Sequence, residues 1–183
     1  MGIKKSYKGV LEIFARYWRC YGGFSALFLS PYLHVSLVLT VVLTPVWTDI
    51  GWWNIPIEVM PGILGFSLGG YAIWIAIGDG RFRALLAGSD EKAQSSPFME
   101  INASFLHFIL LQFLSILMAL IFLSIGPSHQ SQVNCIHLGF WFFGFLVFVY
   151  ALLSAIAAAM AIFRVASWYD MHLTQIRESD KEK

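Results

Sequence analysis

The sequence is short of charge. Lys, Arg, Asp and Glu make up 13% of its 183 residues, while 58% are hydrophobic. A typical soluble domain is about 25% charged, so this composition does not fit that class. The formal net charge is +1, too small to attract nucleic acid by bulk charge, and no direct nucleic-acid partner is expected. Cysteine is scarce too. Cys20 precedes the first apolar run and Cys135 lies between the third and fourth, which puts them on opposite sides of a bilayer, too far apart for disulfide geometry. No nucleophile elbow, phosphate loop, zinc signature or redox pair is present. The reading from absences is no enzyme, no catalytic residue, no cofactor and no metal.

Long apolar runs are plentiful. A bilayer core is crossed by about 20 apolar residues in a helix. Four runs qualify: residues 24–47, 56–77, 101–125 and 138–163. The expected fold is therefore all-α, a polytopic membrane protein with four transmembrane helices. Residues 1–23 form an amphipathic interfacial helix, 24–163 the membrane domain, and 164–183 a helical tail.

The first segment repeats apolar and aromatic residues at offsets of three and four: Tyr7, Val10, Leu11, Phe14, Tyr17, Trp18, Tyr21. Lys4, Lys5, Lys8, Arg16 and Arg19 fill the remainder. Such a helix suits the headgroup plane, with Arg16, Trp18 and Arg19 as its membrane-sensing residues. The plainer alternative is a helix packed on the protein's own bundle. Trp47, Trp52 and Trp53 read as an aromatic belt at the far membrane face.

Charge sets the orientation. All twelve Lys and Arg lie before the first run, between the second and third, or after the fourth. The positive-inside bias then places both termini in the cytoplasm.

The second run is the unusual one. Gly62, Gly65 and Gly69 share one helix face, below Glu58. A small-residue face allows close helix approach in lipid. It serves either packing against the fourth run or assembly of several copies, with a pore on the axis as one outcome. In an oligomer Glu58 would form a ring of carboxylates; otherwise it is a wetted headgroup-level group. His34 and His107 read as a proton relay or pH switch, or as separate hydrogen-bonding residues inside the bundle, and Gln112 reads in the latter way. A small intramembrane enzyme using both histidines is a third class, without a positioned constellation to support it. Asp79 is either a gate or docking point, or a loop carboxylate beside Arg81 and Arg83. The loop 78–97 and the tail, with Trp168, His172 and Arg177, offer a docking face for a soluble partner.

The stretches PGILGFSLGGYAIWIAIGDGRFRALLAG and SPFMEINASFLHFILLQFL, with the overall plan of four spans and a basic amphipathic start, resemble the KwaA family, the membrane subunit of the bacterial Kiwa anti-phage system. The resemblance covers nearly the whole chain. It implies an inner-membrane homo-oligomer, a tetramer being one expected form, that senses phage attack. It also implies a cytoplasmic KwaB-like effector as partner, with membrane lipids as the sensed surface. The alternative reading is an oligomeric ion channel with the second run lining its axis.

Overall fold

The computed structural model describes residues 3–76, 96–127, 129 and 133–181, with the side chains at 3, 172, 175, 176 and 179–181 outside that description. Every regular element among the described residues is a helix. They are α1 (Ile3–Tyr21), α2 (Gly23–Phe28), α3 (Pro31–Val42), α4 (Thr44–Trp47), α5 (Asn54–Ala76), α6 (Pro97–Ile125) and α7 (Cys135–Lys181).

Local chemistry sets the breaks. Gly22 and Gly23 have φ of +100° and +64°, a region other residues enter at a cost, so α1 stops there and the chain turns. Ser30 is extended and Pro31 opens α3, where a missing N–H costs nothing. Pro45 opens α4 in the same way. Ser96 caps α6, its hydroxyl accepting from the Met99 N–H at 3.4 Å, with Pro97 following. Asn134 caps α7, its Oδ1 accepting from the N–H groups of Ile136 (3.1 Å) and His137 (3.0 Å).

The run at 24–47 is therefore three short helices in series, not one. At 1.5 Å per residue the 12 residues of α3 reach roughly 18 Å, short of the roughly 30 Å hydrocarbon layer. Among the described residues, α5, α6 and α7 are the three helices long and apolar enough to cross a membrane. Past the fourth run, α7 continues unbroken to Lys181, so the tail is part of the same helix.

α6 and α7 pack antiparallel at the centre, α5 lies against α6, and α3 lies against α7. Two apolar clusters mark the two ends. At one end Trp47, Trp52, Trp53, Phe122, Trp141 and Phe145 are buried together. The three early tryptophans are thus core residues, not a lipid-facing belt. The α4–α5 turn folds them inward, and Trp47 donates its indole N–H to the Thr40 carbonyl at 2.8 Å. At the other end Trp74, Ile101, Phe105, Phe108, Ala158 and Val165 pack, with Trp168 and Tyr169 against them.

Small and polar residues let the helices meet closely. Ser36 and Thr40, both fully buried, return their hydroxyls to the carbonyls of Tyr32 (2.6 Å) and Ser36 (2.8 Å). Buried hydroxyls in a helix satisfy themselves this way. Between α5 and α6, Gln112 donates to the Ser67 hydroxyl at 3.1 Å.

Candidate functional site

The site centres on His107, which is buried on α6. It lies ten residues from the start of α6, roughly 15 Å along the helix. Three tyrosines from two other helices close on it. The Tyr17 hydroxyl meets Nδ1 at 2.6 Å, and the Tyr150 hydroxyl meets Nε2 at 3.3 Å. Tyr21 joins the chain through Tyr150, hydroxyl to hydroxyl at 3.3 Å. The Tyr21 ring also stacks on the imidazole, with centroids 3.9 Å apart and planes 20° apart. Helical spacing makes this possible. Tyr17 and Tyr21 are four apart, so they share a face of α1, and the glycine turn after Tyr21 leaves that face free to lie on α6.

Proton counting makes the cluster a two-state element. Three hydrogen bonds join Tyr17, His107, Tyr150 and Tyr21. With His107 neutral, the four groups hold three phenolic protons and one ring N–H. If Nε2 carries the ring proton, Tyr17 donates to Nδ1, Nε2 donates to Tyr150, and Tyr150 donates to Tyr21. The Tyr21 proton is then left over. If Nδ1 carries it, every bond reverses and the Tyr17 proton is left over. With the ring proton on Nε2, Tyr21 can instead donate to Tyr150, and the Tyr150 proton is then the one left over; only the Nδ1 form fixes every direction. Burial, and then the neighbouring Tyr150, raises the Tyr17 pKa from 10.0 to about 12. Tyr21 is raised further, by burial first, then by its hydrogen bond to Tyr150 and the proximity of Tyr150 and Tyr17. Both phenols are protonated at neutral pH.

Beside the cluster lies a cavity of about 750 Å³ lined by the end of α1, α2 and the start of α3, the start of α6 and the middle of α7. Its floor includes Tyr21, His107 and Tyr150, and Arg19 and Arg164 also line it.

The predicted site residues scatter. Arg16 and Arg19 are exposed, but Trp18 is half-buried, stacked on Tyr21 at 5.9 Å and edge-on to Phe24 at 5.0 Å. His34 is exposed on α3, and no hydrogen bond links it to His107. Glu58, Gly62, Gly65 and Gly69 are exposed along one face of α5, and a Cβ added at any of the three glycines meets nothing within 4 Å. Packing of that face against the chain's own α7 is thereby set aside. Trp168 is half-buried and lines the cavity, so it is tied to the bundle. Arg177 is exposed. Asp79, Arg81, Arg83 and the side chain of His172 lie outside the described residues. Among the described residues no group of His, Cys, Asp and Glu is placed to hold a metal ion.

Sequence reasoning missed the tyrosines. Tyr17 and Tyr21 were legible only as part of an apolar stripe, and Tyr150 only as one aromatic among many. The available signal was the i, i+4 tyrosine pair ahead of a double glycine. Comparison with protein-family models, curated proteins and solved structures finds no match to this chain.

Proposed function

We propose that the chain is a membrane-embedded sensor and anchor, in which α1 reports the state of the membrane surface to the bundle. The observation that carries this is the docking of α1 on α6 through the Tyr17–His107 hydrogen bond and the Tyr21 stack. Only the last turns of α1 are held this way. Upstream, Tyr7, Val10, Leu11 and Phe14 are all at least half exposed on one face. An apolar stripe beside a basic one partitions into a lipid interface and responds to anionic headgroups. A change in how α1 sits on the membrane then pulls on a buried histidine.

The positive-inside bias supports a cytoplasmic placement of α1 and of the far end of α7. The α2–α4 series, together 25 residues from Gly23 to Trp47, then supplies the fourth crossing as a broken helix. Such breaks are tolerated where the backbone is covered by protein. The resemblance to the Kiwa membrane subunit extends the reading to phage defence in a bacterial inner membrane, with a KwaB-like cytoplasmic effector docked on the exposed tail around Arg177.

The test is charge reversal of Arg16 and Arg19 to Glu in cells carrying the neighbouring genes, followed by phage challenge. Protection should disappear while membrane level and assembly mass stay unchanged. Full protection in that variant would overturn the sensing role.

A second reading has its own observation, the open glycine face of α5. It supports self-association through that face, with Glu58 at one mouth of a pore. Planar-bilayer conductance altered by Glu58→Gln would favour the channel, and absence of conductance would leave the sensor-anchor.

A further inference from the structure

The cavity beside His107 is built for a ligand with one anionic end and one apolar end. Its α7 wall is a single helical stripe: Tyr150, Ser154, Ala157, Ala161, Arg164 and Trp168 recur at offsets of three and four. Read along that stripe, hydroxyls stand at the inner end, small apolar residues in the middle, and a guanidinium with an indole at the outer end. The first turns of α6, with Pro97, Glu100, Ile101 and Ser104, also line the space, near the positive end of that helix's dipole. Arg19 brings a second guanidinium from the last turn of α1. Neither arginine makes an ion pair among the described residues. Glu100 also lines the space, which leaves these three side chains with an excess of one positive charge. An aqueous metabolite would gain little from the alanine stretch, and a bare hydrocarbon would gain nothing from the arginines. A membrane phospholipid uses both.

We propose that this cavity binds one membrane phospholipid, its phosphate held by Arg19 and Arg164 and its chain along Ala157 and Ala161. The assignment deepens the sensor reading and rests on it for its meaning, though not for its test. Tyr21 also lines the cavity, two residues from Arg19, and its hydroxyl is one of the three places where the leftover proton of the cluster can reside. An acceptor there selects the arrangement in which Tyr21 donates outward, which requires the ring proton on Nε2 of His107. Lipid occupancy is thereby written into the tautomer of a histidine that also holds α1 through Tyr17.

The experiment uses the full chain in phosphatidylcholine nanodiscs with and without phosphatidylglycerol. Native mass spectrometry counts retained lipid, and ¹⁵N NMR of histidine-labelled protein reads the tautomer, with His107 assigned by the signal lost in His107→Gln. Wild type should retain one phosphatidylglycerol per chain and shift His107 toward the Nε2–H form. Each of Arg19→Gln and Arg164→Gln should weaken retention roughly tenfold, the size of a lost charge-assisted contact. Ala161→Phe, which fills the middle of the cavity, should abolish retention with both arginines intact, and it carries the test if the arginine variants fail to assemble. Arg16 does not line the cavity, so Arg16→Glu should keep the lipid even where signalling is lost, which separates failure of the site from failure of the sensor reading. Retention equal to wild type in the arginine variants and in Ala161→Phe would overturn the proposal. So would inorganic phosphate alone shifting the tautomer and displacing the lipid, which would make the occupant a free anion.

Discussion

At the residue scale, the Tyr17–His107 contact is the shortest link in the cluster, at 2.6 Å against 3.3 Å for the two others. Tyr17→Phe keeps the ring and removes only that bond, stranding a buried Nδ1. It should cost about 1–3 kcal/mol, read as earlier release of α1 in hydrogen exchange. Alkaline pH attacks the same place. The Tyr17 phenol is raised from 10.0 to about 12, so its contribution is fully present below pH 10.0. It fades as pH rises toward about 12, where the folded protein must also give up the proton. Wild type should lose thermal stability across that window more steeply than Tyr17→Phe. Gln112 gives a contrasting case. Among the described residues its Oε1 has no hydrogen-bond partner, and Ser67 already donates to the Ile63 carbonyl. Gln112→Leu removes an unsatisfied group and strands nothing, so stability should stay within about 0.5 kcal/mol of wild type or rise. Ser67→Ala instead strands the Gln112 amide and should cost about 1 kcal/mol. Unfolding in mild detergent compares the two.

At the scale of the element, two glycine-bearing helices behave oppositely. Gly144 of α7 faces Phe122 and Trp52, and a Cβ there collides with the Phe122 ring and comes within 3.0 Å of Trp52. Gly144→Ala should cost about 1–3 kcal/mol through overpacking. On α5 the buried face is Met60, Ser67 and Trp74, spaced by sevens, and Gly62, Gly65 and Gly69 lie on the opposite side. Gly65→Ala places its methyl in open space and improves helix propensity, so an isolated chain should gain about 0.5–1 kcal/mol. Gly65→Leu separates the readings of that face. If copies meet there, the bulkier side chain should lower the assembly mass while helix content is unchanged. An unchanged mass would remove α5 from the subunit interface. The glycine spacing was visible in the sequence. That the chain leaves the face uncovered was not, because the same spacing serves contact within a chain or between chains.

For the whole molecule, the tail is continuous with the bundle up to a definable point. Val165 is buried and Trp168 and Tyr169 pack on the same cluster, whereas Met171, Leu173 and Arg177 are exposed. Truncation after Arg164 should therefore destabilise the bundle by several kcal/mol, roughly the cost of unburying two large side chains. Truncation after Asp170 should leave the fold intact and remove only the exposed segment, so loss of a co-purifying protein in that variant would assign the proposed partner docking to the segment. The sequence by itself determined the helical, membrane-compatible character, because apolar run length and the scarcity of charge are local properties that no packing alters. The breaks at Gly22, Pro31 and Pro45 are local as well, because backbone chemistry acts on the residue that carries it, and the two prolines interrupt the run at 24–47. Tertiary structure alone decided that Trp52 and Trp53 turn inward and that three tyrosines from two helices enclose His107. Tyr17 and His107 are 90 residues apart. Nothing in either residue's neighbourhood states that they meet; that follows only from the way α1 folds back across α6 after the glycine turn.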